Sequence, residues 1–245
     1  MRAILLTLLC LCAGPALAQE KFVSSNMDVR TILNFKAPDA AIQKLVPTGW
    51  EVDAAASGPS AGANLRVTFI DQMAAWDATG KPTTPVRNLV FGIPAKKKGA
   101  TTGGLMIFAG LSIGVPGPYG ANMKAANAVE RKVLHTAKGS IVAESWEYKA
   151  ENGSSVALEL YFVRGLATRS KAELLVFAQP KPDFYRIYRY EQGVDVVPSS
   201  GSDRLQKFTF KASGERFAPL FDGTEQLISI TSVPWYQREI YLPGS

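Results

Sequence analysis

Residues 140–163, SIVAESWEYKAENGSSVALELYFV, decide the fold class. Two strand-length runs, Ser140 to Lys149 and Val156 to Val163, flank Glu151-Asn152-Gly153. Asn-Gly adopts the positive backbone φ that a tight hairpin needs, so this stretch predicts two adjacent antiparallel strands. Upstream, Val86 to Ile93 and Leu105 to Leu111 are apolar runs of strand length. The segments between them, Lys96-Lys97-Lys98-Gly99 and Thr101 to Gly104, predict a hairpin loop. Leu65 to Asp71 (LRVTFID) and Leu205 to Lys211 alternate as strands do, and Leu174 to Phe177, Tyr185 to Tyr190, Leu227 to Val233 and Arg238 to Leu242 add more. Asp39 to Leu45 predicts a short helix that stops before Pro47. Many short strands with frequent turns and few helices predict a mainly β (α+β) chain, built as a large antiparallel sheet or barrel.

The N-terminus carries a different signal. Met1-Arg2 is basic, Ile4 to Cys12 is almost unbroken apolar, and Ala16-Leu17-Ala18 is an A-x-A cleavage site. This is the layout of a secretory signal peptide over residues 1–18, leaving one domain, residues 19–245, secreted and periplasmic after cleavage near Ala18. The apolar run is too short for a permanent transmembrane helix. Neither Cys10 nor Cys12 follows the small residues of a lipoprotein site, so no membrane anchor is expected. Both cysteines leave with the leader, which excludes disulfides, thiol nucleophiles and Cys-ligated metal from the mature chain. Without Arg2 the chain has 26 basic and 21 acidic residues, a net charge of +5. That modest excess suits an anionic small molecule. The basic residues are scattered, and nucleic acid is not an expected partner.

Several motifs suggest chemistry. Gly58-Pro59-Ser60-Ala61-Gly62 matches G-x-S-x-G, but its flanks are loop before and strand after, and the chain has one histidine, His135, to act as base. A lone histidine also excludes a multi-histidine metal site. Lys96-Lys97-Lys98 reads as a solvated hairpin tip. Phe184-Tyr185-Arg186-Ile187-Tyr188-Arg189-Tyr190 reads as a twisted strand with aromatics packed on one side and arginines satisfied at its margin. Lys124 lies in Pro118-Tyr119-Gly120-Ala121-Asn122-Met123-Lys124-Ala125-Ala126, among small residues. Desolvation there would leave a neutral, nucleophilic amine.

The order of segments resembles one family. Leu45-Val46-Pro47-Thr48-Gly49-Trp50-Glu51 after a short helix, then the strand Leu65 to Asp71, then Val86 to Pro94, Lys98-Gly99 and Leu105 to Leu111, is similar to the first half of acetoacetate decarboxylase-like proteins. Tyr119-Gly120-Ala121-Asn122-Met123-Lys124 resembles that family's aromatic-Gly-x-Pro-Lys-Lys motif. Phe208, Phe217-Ala218-Pro219-Leu220 and Ile228-Ser229-Ile230 resemble its closing strands, so the likeness spans residues 27–242. It implies a cone-shaped antiparallel β-barrel with a few short helices around a closed cavity, in a homo-oligomer. In the active enzymes a lysine forms a Schiff base with a β-keto acid, without metal or organic cofactor. Lys124 would then be the catalytic nucleophile. Tyr119, Asn122 and Met123 would shape the site, Asn88 would orient substrate or water, and Arg66 or Arg87 would hold a carboxylate.

The match is incomplete. Met123 stands where the motif has its first lysine, Asn122 where it has proline, and Asn88 where the family has a helper glutamate. Two readings therefore follow: a Schiff-base lyase acting on a small oxo-acid or other carbonyl compound, or a non-catalytic binding protein for a small apolar or anionic ligand. A third places a partner on the Trp235-Tyr236 surface.

Overall fold

The structure, a computed structural model, describes residues 19–112, 119, 122–137, 139–199 and 202–244. The expected leader, residues 1–18, lies outside them. The first half of the chain runs β1 (Lys21–Lys36), α1 (Asp39–Leu45), β2 (Trp50–Val52), β3 (Leu65–Asp77), β4 (Arg87–Lys97), β5 (Gly104–Ser112) and β6 (Asn122–Thr136). The second runs β7 (Gly139–Ala150), β8 (Ser155–Val163), β9 (Thr168–Ala178), β10 (Lys181–Val196), β11 (Pro198–Ser199), β12 (Ser202–Asp203), β13 (Leu205–Ser213) and β14 (Gln226–Leu242).

Strand pairing closes a ring. β5 joins β9, then β10, β14, β1, β3 and β4 follow, and β4 returns to β5. A second run, β6-β7-β8-β13, leaves the same β5 as a wing. The mainly β barrel expected from the sequence, antiparallel with a few short helices, is broadly what the chain adopts, with two particulars. β5 pairs in parallel with both β6 and β9, and among the described residues the only helix is α1. β9 is reached through β6, β7 and β8, an excursion long enough to bring a strand back in the same direction.

β5 explains how one strand serves both layers. It pairs with β9 through Leu105 to Ile107 and with β6 through Gly110 to Ser112. Between them the β4 register jumps, setting Gly92 opposite Ile107 and Phe91 opposite Ala109. Phe108 is the extra residue of this bulge, and a bulge bends the strand where two sheets diverge. Leu105 and Ile107 face the ring interior, whereas Met106, Phe108, Ala109 and Leu111 enter the main core.

That core lies between the outer wall of the ring and the wing. β8 alternates as a half-buried strand does, with Val156, Leu158, Leu160 and Phe162 buried. β7 contributes Val142, Trp146 and Tyr148, and the ring contributes Leu33, Phe35, Phe69 and Phe91. Phe91 stacks on Phe217 at 4.5 Å, and Phe69 meets Trp146 at 5.5 Å. The Asn-Gly hairpin forms as expected, with Gly153 at φ 81°.

Tyr148 is the odd member. It is buried, yet its hydroxyl has no hydrogen-bond partner among the described residues. Burial first, and Asp71 second, push its phenol above the ordinary tyrosine range, with Arg87 opposing. The unfolded phenol ionises near pH 10 while the folded one resists, so the native state loses stability as pH rises beyond about 10. Tyr148→Phe removes the unpaired hydroxyl. It is expected to gain about 1 kcal/mol near neutral pH and to lose less stability than the wild type at pH 10.5, both read by urea unfolding.

Candidate functional site

The ring encloses a lumen, and alternation along its strands decides what faces inward. Asn26, Arg30 and Ile32 of β1, Arg66, Thr68 and Ile70 of β3, and Asn88 and Val90 of β4 line one side. Leu105 and Ile107 of β5, Leu174 and Val176 of β9, Arg186 and Tyr188 of β10, and Arg238 and Ile240 of β14 line the other. They bound a cavity of about 310 Å³. A second chamber of about 220 Å³ adjoins it, sharing Arg30, Ile32, Arg66 and Leu174 and reaching Asn34, Ser60, Gln192 and Thr231.

The polar lining is organised around Asp28. This fully buried carboxylate accepts from Arg30 Nε at 2.5 Å and Nη2 at 2.9 Å. Asn26 donates to it through Nδ2 at 2.5 Å and accepts from Arg238 Nε through Oδ1 at 2.7 Å. Desolvation works against the Arg30 charge, but Asp28 outweighs it and holds that guanidinium above its ordinary range. The Arg30 guanidinium also lies 3.3 Å from the centroid of Tyr236, which stacks on Tyr190. Arg238 lies 4.3 Å from the centroid of Tyr188. Cations over aromatic faces gain from the ring quadrupole, most where water is excluded.

The other cations lack a carboxylate. Arg66 makes only a long contact, 3.4 Å, from Nε to Asn34 Oδ1. Desolvation holds it below the usual guanidinium range and Arg30 acts in the same direction, against Tyr190 and Tyr236. Arg186 has a buried Nε with no hydrogen-bond partner among the described residues. Tyr119 closes this wall. Its hydroxyl is hydrogen-bonded to that of Tyr188, and its ring meets Phe184 edge-on at 6.0 Å. Desolvation and then Tyr188 push the Tyr119 phenol well above its ordinary range. Tyr119 thus offers a neutral hydroxyl at neutral pH.

The sequence candidates separate. Arg66, Asn88 and Tyr119 line the lumen together. Arg87 does not: its side chain is 52% exposed and pairs with Asp71 at 3.0 Å. Met123 packs against the main core and lies near Asn152. The side chain of Asn122, with Gly120 and Ala121, lies outside the described residues. Lys124 lies apart from the lumen lining. On β6 it points outward, is 71% exposed and pairs with Glu151 at 3.1 Å, so the burial that would activate its amine is absent. Its neighbour Ala125 takes the buried side of the strand.

The remaining motifs also settle. Ser60 faces the smaller chamber from a loop, while His135 is exposed beside Ser140 on the wing. Lys96 and Lys97 belong to β4 and pair with Asp53 and Asp183. Tyr236 is buried beneath Arg30, so it forms no surface with Trp235. Residues absent from the sequence reading are Asn26, Asp28 and Arg30; Arg186, Tyr188 and Arg238 figured in it only as strand residues.

No protein-family model and no curated protein matches the chain. Solved structures do. The enduracididine biosynthesis enzyme MppR, complexed with the condensation product of pyruvate and imidazole 4-carboxaldehyde, superposes with a TM-score of 0.56 and 12% identity, over 95% of this chain and 92% of that one. The same enzyme complexed with pyruvate gives 0.54 and 12%, over 94% and 92%. An acetoacetate decarboxylase-like enzyme from Sphingomonas wittichii RW1 gives 0.49 and 12%, over 96% and 98%. At these identities the likeness shows the fold alone: the chain has the fold of MppR.

Proposed function

We propose that this protein binds a small organic acid in the lumen, its carboxylate held by arginines rather than captured by a lysine. One observation carries the reading: Arg66, Arg186 and Arg238 face a cavity that no Asp or Glu lines, and no lysine lines it among the described residues. Guanidinium groups donate in a fixed fork that matches a carboxylate, and a cavity that excludes water strengthens the contact. The apolar wall of Leu105, Ile107, Leu174 and Val176 suits the carbon skeleton. The ligand class agrees with pyruvate, which the fold neighbour MppR holds. The leader over residues 1–18 supports export, so the acid would be met in the periplasm.

The Schiff-base reading rests on Lys124, whose place in an exposed ion pair with Glu151 counts against it. The test combines calorimetry and chemical trapping on the mature chain. A panel of 2-oxo and β-keto acids, with pyruvate as first probe, is expected to bind saturably. Arg238→Met should weaken binding at least tenfold, in keeping with truncation of a buried charge pair. Borohydride should add no mass with any acid of the panel. A covalent adduct on Lys124, or no binding by folded protein, overturns the proposal.

A further inference from the structure

The lumen carries more positive charge than one carboxylate answers. Arg30 is neutralised by Asp28, but Arg66, Arg186 and Arg238 have no ion pair among the described residues. Every Asp and Glu of the chain lies among those residues, and none lines either chamber. Charges withdrawn from water are costly unless paired, so three such cations around one lumen call for anionic charge from the ligand.

These cations also stand at two levels. Arg238 lies opposite Asn26 in the β1–β14 register, and Arg186 is on the same wall, two residues before the Tyr188 over which Arg238 sits. Arg66 lies opposite Asn34, eight positions further along β1, where the two chambers meet. The larger chamber is bounded by both levels, and its wall is apolar at Leu105, Ile107, Leu174 and Val176 and polar at Thr68, Gln72 and Asn88.

Resting on the proposed binding of an organic acid, we infer that the ligand is a dianion with an acid group at each end and an apolar spacer between them. One acid meets Arg186 and Arg238, and the other meets Arg66. The terminal acids are carboxylates or phosphate esters, which share the fork-matching oxygens that arginine recognises.

Calorimetry on the mature chain distinguishes these. The probes are α,ω-dicarboxylates from malonate to suberate, monocarboxylates of equal carbon number, and carboxyalkyl phosphates of matched length. The best dianion should bind at least tenfold more tightly than its monocarboxylate, with an optimum length in the series. Whichever of dicarboxylate and carboxyalkyl phosphate binds more tightly identifies the terminal group. Arg66→Met should reduce the dianion's advantage below twofold, whereas Arg238→Met should weaken monocarboxylates as well, in variants whose circular dichroism matches the wild type. Equal binding of mono- and dianions, or an advantage that survives in Arg66→Met, overturns the inference while leaving organic-acid binding intact. Failure of every acid to bind overturns both.

Discussion

Replacing Asp28 by alanine is expected to cost about 3–5 kcal/mol of folding stability, the range for stranding one partner of a buried ion pair. The geometry makes this site severe. Asp28 is fully buried and takes two hydrogen bonds from Arg30 and one from Asn26. Without it Arg30 would join Arg66, Arg186 and Arg238 as a fourth uncompensated charge, and Asn26 would lose the acceptor that orients its amide toward Arg238. A domain of this size has about 5–15 kcal/mol in all, so the loss takes a large share. Melting should fall by roughly 6–20 °C. The pair itself is not the source of stability, because desolvating two ions offsets most of their attraction. Asp28→Asn combined with Arg30→Met should therefore recover at least half of the loss. A loss below about 1 kcal/mol in the single variant, by urea unfolding, would show that water reaches Arg30 freely.

The legible part of the fold was local. The β7–β8 hairpin could be read because Asn152-Gly153 is a turn with a mechanism, and α1 because Pro47 ends it. β1 was not legible as a strand. Its sequence, KFVSSNMDVRTILNFK, places Asn26, Asp28 and Arg30 toward an interior that is polar, and its register shifts at three places against β14. An apolar-inside pattern is the usual signature of a strand, and here the inside holds charges. The site was hidden for the same reason. Arg238 meets Asn26 across 212 positions only because the ring closes β14 onto β1. One signal was present: Arg186, Tyr188 and Tyr190 alternate on a single face of β10, while Tyr185 and Ile187 take the other. Lys124 misled because small neighbours resemble a closed pocket. On a strand they alternate instead, leaving Ala125 inside and Lys124 in solvent.

Alternation along β1 also determines the second large effect. Past the shift between Asp28 and Arg30, Arg30 faces the lumen while Thr31 faces the wing. Thr31 Oγ1 donates there to Glu144, a fully buried carboxylate of β7 that also accepts from Trp146 Nε1 at 3.1 Å and pairs with Arg131 Nη2 at 3.0 Å. Glu144 thus fastens the wing to the ring through the main core. Glu144→Ala leaves two buried donors and a partly buried guanidinium without their acceptor and is expected to cost about 3–5 kcal/mol. Glu144→Gln keeps an oxygen for Thr31 and Trp146. Arg131, 23% exposed, can then turn toward water, so this variant should cost about 1–2 kcal/mol. Equal losses in the two variants would assign the stabilisation to the charge rather than to the hydrogen bonds. Because Glu144 contacts the side of β1 that faces away from the lumen, Glu144→Gln should alter organic-acid affinity by less than twofold, measured by calorimetry. A larger change would mean that the Thr31 contact sets the position of Arg30, making the wing a positioning element for the lumen.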